Sequence, residues 1–265
     1  MKSLIIGSSG FLGKRLCDFL KNKGDEVIEF DIKNNTKQDA RFESLPLEGV
    51  DRVFFLAWDV GGAKYLYKKD SQIFQMEWNN AIMNNVFPQI INLPFIFISS
   101  QLSENVDTVY GSQKRIGEVW TKLSEKGIAV RLWNIYGYNE EVSERSHVIS
   151  DFVFQAVKNE KIEILTDGSE VRQFIHIDDV CEALLAAFNI KDKSKTYDIS
   201  TGEWVDLYNI AKIIQKNTNC SIIKGNKKGE SLIIQNKEYV PNWKPKISLE
   251  EGIKKMIKNL NNEQN

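Results

Sequence analysis

The fold of this chain is decided by its first sixteen residues, MKSLIIGSSGFLGKRL at positions 1–16. The apolar run 3–6 leads directly into glycines at Gly7, Gly10 and Gly13. A short apolar run that ends in glycine is typical of a buried strand in a parallel sheet. Because glycine loses more backbone entropy on folding than any other residue, this spacing indicates a tight turn or a close approach to another surface.

A helix is predicted directly after the glycines. Its apolar side chains recur at helical spacing and form one face; they are Phe11, Leu12, Leu16, Phe19 and Leu20. Gly24 follows this face and ends the helix, since glycine is the commonest residue just past a helix C-terminus. The first 24 residues therefore predict a strand, a glycine turn and a helix.

Strand-like and helical stretches alternate along the rest of the chain. In the first half, the predicted strands span 26–31, 50–58, 94–100 and 128–137, and the predicted helices span 70–90 and 110–126. In the second half, short strands at 161–168 and 172–177 lie among helices at 146–160, 177–190 (behind an Asp cap) and 247–260 (with a capping box, Ser248 to Glu251). This alternation predicts an α/β fold with a doubly wound parallel sheet, the Rossmann fold.

Length and composition exclude several classes of protein. The chain has 265 residues, 42% of them apolar, and a net charge of −1. It is long enough for a sizeable core, and it has no basic excess that would suggest nucleic-acid binding. No run approaches the roughly 20 apolar residues of a membrane helix, and no signal peptide is predicted. The three cysteines are far apart, so we expect reduced thiols and a cytoplasmic location.

The glycine spacing predicts a site for a dinucleotide. A helix N-terminus with free N–H groups attracts a diphosphate; here Gly7 permits the turn, Gly10 the approach of the phosphates, and Gly13 close packing of helix on strand. The second strand ends in Asp31, whose carboxylate can accept hydrogen bonds from the adenosine ribose and repels a 2′-phosphate. We therefore expect NAD rather than NADP, although Lys33 lies nearby. The alternative is a glycine turn without a ligand.

Two motifs together carry a family resemblance. GSSGFLG at 7–13 and YGSQK at 110–114 resemble the extended branch of the short-chain dehydrogenase/reductase superfamily, which includes UDP-galactose 4-epimerase and other NAD-dependent nucleotide-sugar epimerases, reductases and dehydratases. Five further stretches match that branch in order: FLAW (55–58), ISSQ (98–101), KRIGE (114–118), RLWNIYG (131–137) and DGSEVRQFIHIDDV (167–180). The resemblance covers residues 1 to about 190 well and the remainder loosely. The sequence pattern changes after about residue 140, which predicts an NAD-binding domain over 1–140 and, over 141–265, a small substrate-binding lobe with some elements returning to the main sheet.

Tyr110 and Lys114 are the central catalytic candidates. They are four residues apart and share one helical face, so a nearby ammonium and the positive nicotinamide ring are expected to lower the tyrosine pKa from about 10. Tyr110 would then act as a general base. The resemblance implies that Lys114 also binds the nicotinamide ribose and that Ser100 binds the substrate oxygen, with Ser99 as the alternative.

The resemblance assigns the remaining candidates. It implies that Phe11 and Leu12 contact the cofactor, that Asp39 lies near the adenine and that Ala57 lines the dinucleotide groove. Asn134 and Arg172 are the substrate candidates, because a guanidinium binds two diphosphate oxygens at once; the alternative for Arg172 is an ion pair with Asp178 and Asp179. Trp58 replaces a small residue of the family, and it either narrows the groove or packs in the core.

The sequence leaves the reaction open among epimerase, dehydrogenase and ketoreductase. A 4,6-dehydratase is disfavoured because Gln101 and Leu102, rather than an acid, follow Ser100. The alternative class is an inactive dinucleotide-sensing regulatory or scaffold protein. Such proteins commonly lose the catalytic tyrosine or lysine, and this chain keeps both.

Apolar residues beyond a single stripe predict a homodimer through the helices at 70–90 and 110–126. The residues concerned are Ile73, Phe74, Trp78, Ile82, Ile116, Val119, Trp120 and Leu123. The resembled family commonly pairs these two helices across a twofold axis. The alternative is that the sheet itself covers them.

Overall fold

The computed structural model describes residues 1–138, 140 and 142–262. Its main sheet contains β1 (Lys2–Ile6), β2 (Glu26–Phe30), β3 (Arg52–Phe55), β4 (Phe95–Ser100), β5 (Gly127–Leu132) and a further strand, Thr196–Ile199, here β9. All six strands are parallel, in the order β2-β1-β3-β4-β5-β9. The chain runs from β1 out to β2 and then crosses back to β3. In doubly wound sheets, such a reversal opens a ligand crevice at the carboxyl ends of the strands.

Helices cover both faces of this sheet. On one face lie α1 (Phe11–Asn22) and α6 (Ile177–Ala187), and on the other lie α3 (Lys69–Ile90), preceded by the short α2 (Ala63–Leu66), and α4 (Val109–Lys122). Leu16 and Leu184 are fully buried against the first face, and Val86 and Phe87 against the second. The prediction of an α/β doubly wound sheet is therefore confirmed.

The predicted strand 128–137 is in fact two strands in two different sheets. β5 ends at Leu132, and β6 (Asn134–Tyr136) pairs instead with β8 (Val171–His176). Between them, the buried Trp133 indole donates a hydrogen bond of 3.2 Å to Asp198 of β9. This contact holds the chain at the point where it leaves the main sheet.

The second half of the chain builds a smaller layer beside the carboxyl ends of the main sheet. β10 (Trp204–Asp206), β8 and β6 form one sheet, and β7 (Lys161–Thr166) and β11 (Ser221–Lys227) form a parallel pair. Three helices enclose a separate apolar core with these strands: α5 (Val148–Asn159), α7 (Leu207–Thr218) and α8 (Leu249–Asn262). Sequence patterns missed α2, α7, β9, β10 and β11. The second half contributes to both layers, because β9 belongs to the main sheet and α6 covers one face of it. The predicted domain boundary between residues 140 and 141 adjoins residues 139 and 141, which lie outside the described residues.

Three helix ends test the sequence predictions. α4 ends at Lys122 rather than at residue 126. The cap of α6 is His176 and not an aspartate, because the imidazole Nδ1 accepts the Asp178 backbone N–H at 3.2 Å. The capping box is confirmed: Ser248 Oγ accepts the Glu251 N–H at 3.3 Å, and the Glu251 carboxylate accepts the Ser248 N–H at 3.1 Å.

All three cysteines are buried and unpaired. Among the described residues, no helix combines the length and the apolar character needed to cross a membrane.

Candidate active site

The three glycines of the first turn differ in what surrounds them. Gly7 adopts φ +92°, and a Cβ there would lie 2.5 Å from the backbone nitrogen of Ala57, just after β3. A Cβ at Gly13 would overlap the Gly7 carbonyl. At Gly10, by contrast, the nearest atom would be 3.4 Å away. Packing therefore requires glycine at positions 7 and 13, whereas position 10 faces open space that a ligand can approach.

The N-terminus of α1 is suited to bind an anion. Gly10 is the N-cap and supplies no side-chain hydrogen bond, so the first N–H groups of the helix, at Phe11 and Leu12, have no partner within it. No acidic residue lies in the first turn. These donors and the helix dipole fit a diphosphate.

Asp31 lies beside this turn, at the end of β2. Its carboxylate accepts the backbone N–H groups of Ser9 and Lys33, each at 2.9 Å. These bonds fix the carboxylate at the edge of the cleft while leaving acceptor positions for a ribose. The Lys33 side chain is exposed.

Asp39 lines the same cleft but is held by a neighbour. The Arg41 guanidinium donates to both carboxylate oxygens at 2.6–3.1 Å, and these bonds hold the pKa of Asp39 below its usual value. Arg41 also stacks on Trp78 of α3, with 3.9 Å from the guanidinium carbon to the ring centre. The expected adenine end of the cleft is therefore walled by an arginine already paired with a carboxylate.

The structure separates the two candidate serines at the end of β4. Ser99 Oγ donates to the buried Glu118 carboxylate at 2.7 Å. Ser100 Oγ instead donates to the Gln101 side-chain oxygen at 3.1 Å and accepts the Leu102 N–H at 3.2 Å. It lies close enough to Tyr110 to lower the pKa of that phenol, against the larger effect of burial. Ser100, and not Ser99, is therefore the serine that lies near the Tyr110 hydroxyl.

The predicted lowering of the Tyr110 pKa is wrong for the protein alone. Burial raises the pKa of Tyr110 to about 12, and the Ser100 hydrogen bond offsets only part of that rise. Lys114 does not contact the hydroxyl. Its ammonium donates to the Ile98 carbonyl at 2.7 Å and lies 3.8 Å from the centre of the Trp58 ring, against 5.6 Å from the Tyr110 ring.

Lys114 is itself perturbed. Its side chain is almost completely buried, and this burial holds the pKa of the ammonium well below its usual value, although Glu118 opposes the shift. The aromatic faces of Trp58 and, at 5.2 Å, Phe97 surround it. Trp58 both lines the cleft and packs on Phe97, so the two alternatives for this residue hold together.

A buried ion network lies behind the serines. Arg131 of β5 donates to both Glu118 oxygens at 2.7 and 2.8 Å, and Ser103 also donates to Glu118 at 2.7 Å. Arg131 pairs with Glu104 at 2.6 Å as well. The network ties β4, β5 and α4 together directly behind Ser100.

Asn134 and Arg172 lie on the opposite wall. Asn134 donates from its amide to the Gln173 carbonyl at 2.9 Å, which leaves its amide oxygen to accept. The ion pair considered for Arg172 does not form: Asp178 pairs with Arg15 at 2.6 Å, and Asp179 accepts backbone N–H groups of the chain before α8. Among the described residues, the Arg172 guanidinium makes no hydrogen bond or ion pair.

A single cleft of about 980 Å³ joins all these positions. It is lined by every candidate residue of the sequence analysis: Gly7, Gly10, Phe11, Leu12, Gly13, Asp31, Asp39, Ala57, Ser99, Ser100, Tyr110, Lys114, Asn134 and Arg172. Three further residues form a clamp at the rim of the cleft that was not predicted from the sequence: Arg145 binds Asp59 and the Tyr65 hydroxyl, both at 2.7 Å. Eighty or more residues separate these partners, so no local pattern could reveal them.

A glycine turn at the reversal point of a doubly wound sheet, with an uncapped helix and a carboxylate at the end of the second strand, defines a Rossmann-fold dinucleotide-binding protein. The model of the NAD dependent epimerase/dehydratase family matches residues 3–66 and 94–202. This chain belongs to that family, its cofactor is NAD, and the resemblance to the extended short-chain dehydrogenases is confirmed.

Individual relatives are distant but match nearly the whole chain. A Methanocaldococcus jannaschii protein that carries the provisional name UDP-glucose 4-epimerase is 26% identical, over 98% of both chains. UDP-glucuronic acid decarboxylase 1 of Arabidopsis thaliana is 24% identical, over 99% of this chain and 70% of that protein. The crystal structure of Thermotoga maritima UDP-glucose 4-epimerase with UDP-glucose superposes with a TM-score of 0.82, at 22% identity and 100% coverage of both chains.

Proposed function

We propose that this chain transfers hydride between NAD and a hydroxyl- or keto-bearing carbon of the sugar in a nucleotide sugar. The observation that carries the proposal is that Tyr110, Ser100 at the carboxyl end of β4 and Arg172 line the same cleft as the glycine turn. Relatives whose names specify UDP-glucose or UDP-glucuronic acid as substrate support it.

At the reacting end, Tyr110 is the general base and Ser100 holds the substrate oxygen. Bound NAD supplies the acceptor for the hydride that leaves the sugar carbon. Tyr110 takes the hydroxyl proton as the carbonyl forms and returns it in the reverse direction. Burial raises the pKa of Tyr110 to about 12, and the Ser100 hydroxyl lowers it only in part, so the positive charge of the bound cofactor would have to lower it further. Lys114, 5.6 Å from the Tyr110 ring, is placed to bind the nicotinamide ribose in this proposal.

At the other end, Arg172 binds the substrate diphosphate. Its side chain is half-buried, and burial lowers the pKa of the guanidinium, an effect that Glu170 opposes. A half-buried guanidinium without a partner among the described residues is suited to a doubly charged ligand that offers two oxygens. Asn134 contributes an amide oxygen to the same wall.

The cofactor occupies the remaining part of the cleft in this proposal. The first N–H groups of α1, at Phe11 and Leu12, bind the diphosphate, and Asp31 binds the adenosine ribose. Asp39 bounds the adenine, and Ala57 lines the groove beside Gly7. In this proposal residues 1–140 hold the cofactor and the reacting end of the substrate, and Arg172 of the smaller layer holds the diphosphate.

Elimination chemistry of the 4,6-dehydratase type is not supported by the residues after Ser100. Gln101 and Leu102 carry no acid. Glu104, the next carboxylate, is bound by Lys237 at 2.8 Å, by Arg115 of α4 and by Arg131 of the network behind the serines. Epimerase, dehydrogenase and ketoreductase share the hydride step and remain the candidates.

The test is incubation with a panel of nucleotide sugars: UDP-glucose, UDP-glucuronic acid, dTDP-glucose and GDP-mannose. Absorbance at the NADH band and chromatography of products detect oxidation and epimers. Formation of NADH or of an epimer with at least one of them is expected. Binding of NAD without any turnover on an extended panel contradicts the proposal and favours a dinucleotide-sensing protein.

We further propose a cytoplasmic homodimer. The three buried free thiols suit a reducing compartment. Adjacent helices α3 and α4, with the residue that follows α4, expose several large apolar side chains: Ile73, Phe74, Met76, Trp78, Ile116, Val119 and Leu123. Ile82 and Trp120 do not belong to this set, because Ile82 is buried and Trp120 stacks on Phe87 with ring centres 5.5 Å apart.

A further inference from the structure

Tyr67 lines the cleft that also contains Tyr110 and Arg172, the two ends of the proposed substrate site. It ends the short helix α2, and 52% of its side chain is exposed. Within the described residues, its hydroxyl has no hydrogen-bond partner. A free phenolic hydroxyl can both donate and accept, so it is available to a polar ligand in the cleft.

The position of Tyr67 is fixed by its neighbour two residues earlier. The buried Tyr65 hydroxyl donates to Asp59 at 2.7 Å and accepts from Arg145 at 2.7 Å. The Arg145 guanidinium also lies 3.9 Å from the centre of the Tyr65 ring. These contacts anchor α2 to the rim of the cleft, so Tyr67 follows a helix whose position is fixed.

Tyr67 lies within electrostatic reach of both proposed substrate-binding groups. Burial is the main cause of the raised pKa of Tyr110, and Tyr67 adds to it. Burial lowers the pKa of Arg172, whereas Glu170 and Tyr67 oppose that shift. Tyr67 therefore lines the same cleft as Tyr110 and Arg172 and lies within electrostatic range of both.

We propose that Tyr67 binds a sugar hydroxyl of the nucleotide-sugar substrate through its phenolic oxygen and thereby helps to select the sugar. The inference rests on the proposed function, because the sugar must span from its reacting carbon at Tyr110 to its diphosphate at Arg172. A neutral group that donates and accepts fits a sugar hydroxyl there better than it fits a phosphate.

The test compares Tyr67→Phe with wild type by calorimetry. The ligands are UDP-glucose, UDP-glucuronic acid and dTDP-glucose, the matching nucleoside diphosphates UDP and dTDP, and NAD. Loss of one neutral hydrogen bond predicts about 3- to 10-fold weaker binding of the preferred nucleotide sugar. Binding of its nucleoside diphosphate and of NAD is expected to stay unchanged. Tyr239→Phe is the matched control, since Tyr239 is similarly exposed (43%) and lies outside the cleft.

The outcomes separate this inference from the proposed function. Equal affinity of wild type and Tyr67→Phe for the nucleotide sugar overturns the role of Tyr67 and leaves the function standing. An equal loss for nucleotide sugar and nucleoside diphosphate also overturns it, because the effect is then structural. If wild type binds none of the nucleotide sugars, the proposed function and the inference fail together.

Discussion

The Lys114 ammonium lies 3.8 Å from the centre of the Trp58 ring and donates a hydrogen bond to the Ile98 carbonyl. A buried cation over an indole face gains up to about 2 kcal/mol, which opposes the cost of burying the charge. Trp58 follows β3 and Lys114 lies on α4, so the contact joins the glycine-turn side of the cleft to the catalytic helix. The tryptophan that departs from the family pattern therefore supports Lys114, the lysine proposed to act at the site.

Replacing Trp58 tests this support. Trp58→Leu removes the aromatic face, and we expect NADH to bind several-fold more weakly at neutral pH, because Lys114 loses stabilisation of its charged form. Trp58→Phe keeps a smaller aromatic face, so its NADH affinity is expected to lie between those of wild type and Trp58→Leu. The indole Nε1 has no partner among the described residues, so neither change removes a hydrogen bond. Fluorescence titration with NADH measures the effect, and identical affinity of the leucine and phenylalanine variants contradicts it.

Removing the Tyr110 hydroxyl is expected to abolish chemistry while sparing cofactor binding. Tyr110→Phe keeps the ring but has no proton to transfer, so turnover on the substrate found in the panel falls at least ~100-fold. NAD affinity, measured by calorimetry, stays within about twofold of wild type. Normal turnover by this variant would exclude Tyr110 as the base.

Cofactor choice is expected to depend on Asp31. Its carboxylate repels a 2′-phosphate, so wild type binds NAD(H) more tightly than NADP(H). Asp31→Ser removes the repulsion and one ribose acceptor; the preference is expected to shrink, with weaker NAD binding. Calorimetric titration with both cofactors measures it. Asp18→Ser, an exposed change on α1 outside the cleft, serves as the control, and tighter NADP(H) binding by wild type would refute the assignment.

Assembly is expected to depend on the exposed face of α3 and α4. Val119 is 54% exposed and Leu123 67%, and Val119→Glu with Leu123→Glu places two charges where an apolar interface core is expected. Light scattering at micromolar concentration should give twice the monomer mass for wild type and the monomer mass for the double variant. Ile223→Glu, at a similarly exposed position on β11, should leave the mass unchanged. A monomeric wild type rules the dimer out.

The ion network behind Ser100 predicts a pH-dependent stability. Burial alone would raise the pKa of Glu118, but hydrogen bonds from Arg131, Ser99 and Ser103 more than offset it, so the pKa lies below its usual 4.5. The unfolded chain therefore binds this proton at higher pH than the folded chain does. The stabilisation is complete above about pH 4.5 and is lost as pH falls through the lower, folded pKa.

Glu118→Gln measures this contribution. It leaves Arg131 buried without its full charge partner, which costs about 3 kcal/mol of unfolding free energy at pH 7. The difference from wild type should shrink below pH 4.5. Glu238→Gln is the control, because its pair with Lys195 is half-exposed and such pairs contribute less than about 1 kcal/mol. Urea unfolding at several pH values measures the free energy of unfolding of each variant. If Glu118→Gln loses no more of it at pH 7 than Glu238→Gln does, the prediction is contradicted.

Local patterns determined much of this protein. The spacing of Gly7, Gly10 and Gly13 after an apolar run specified the strand, the turn and the helix, because backbone sterics and close packing act over a few residues. The alternation of strands and helices specified the doubly wound sheet, and the motifs specified the family and NAD. The residues identified from the sequence all line the cleft, but Tyr67 and the clamp formed by Arg145, Asp59 and Tyr65 were not among them.

Only the tertiary structure decided how those residues interact. The Tyr110–Lys114 spacing suggested an ammonium beside a phenol, but Trp58, 56 residues before Lys114 in the chain, and the Ile98 carbonyl draw the lysine aside. Burial, which no local pattern encodes, then raises the tyrosine pKa instead of lowering it. Likewise, Arg172 is unpaired because Arg15, far away in sequence, binds Asp178. Desolvation and partner choice are set by which distant segments meet, so they follow from the fold and not from spacing.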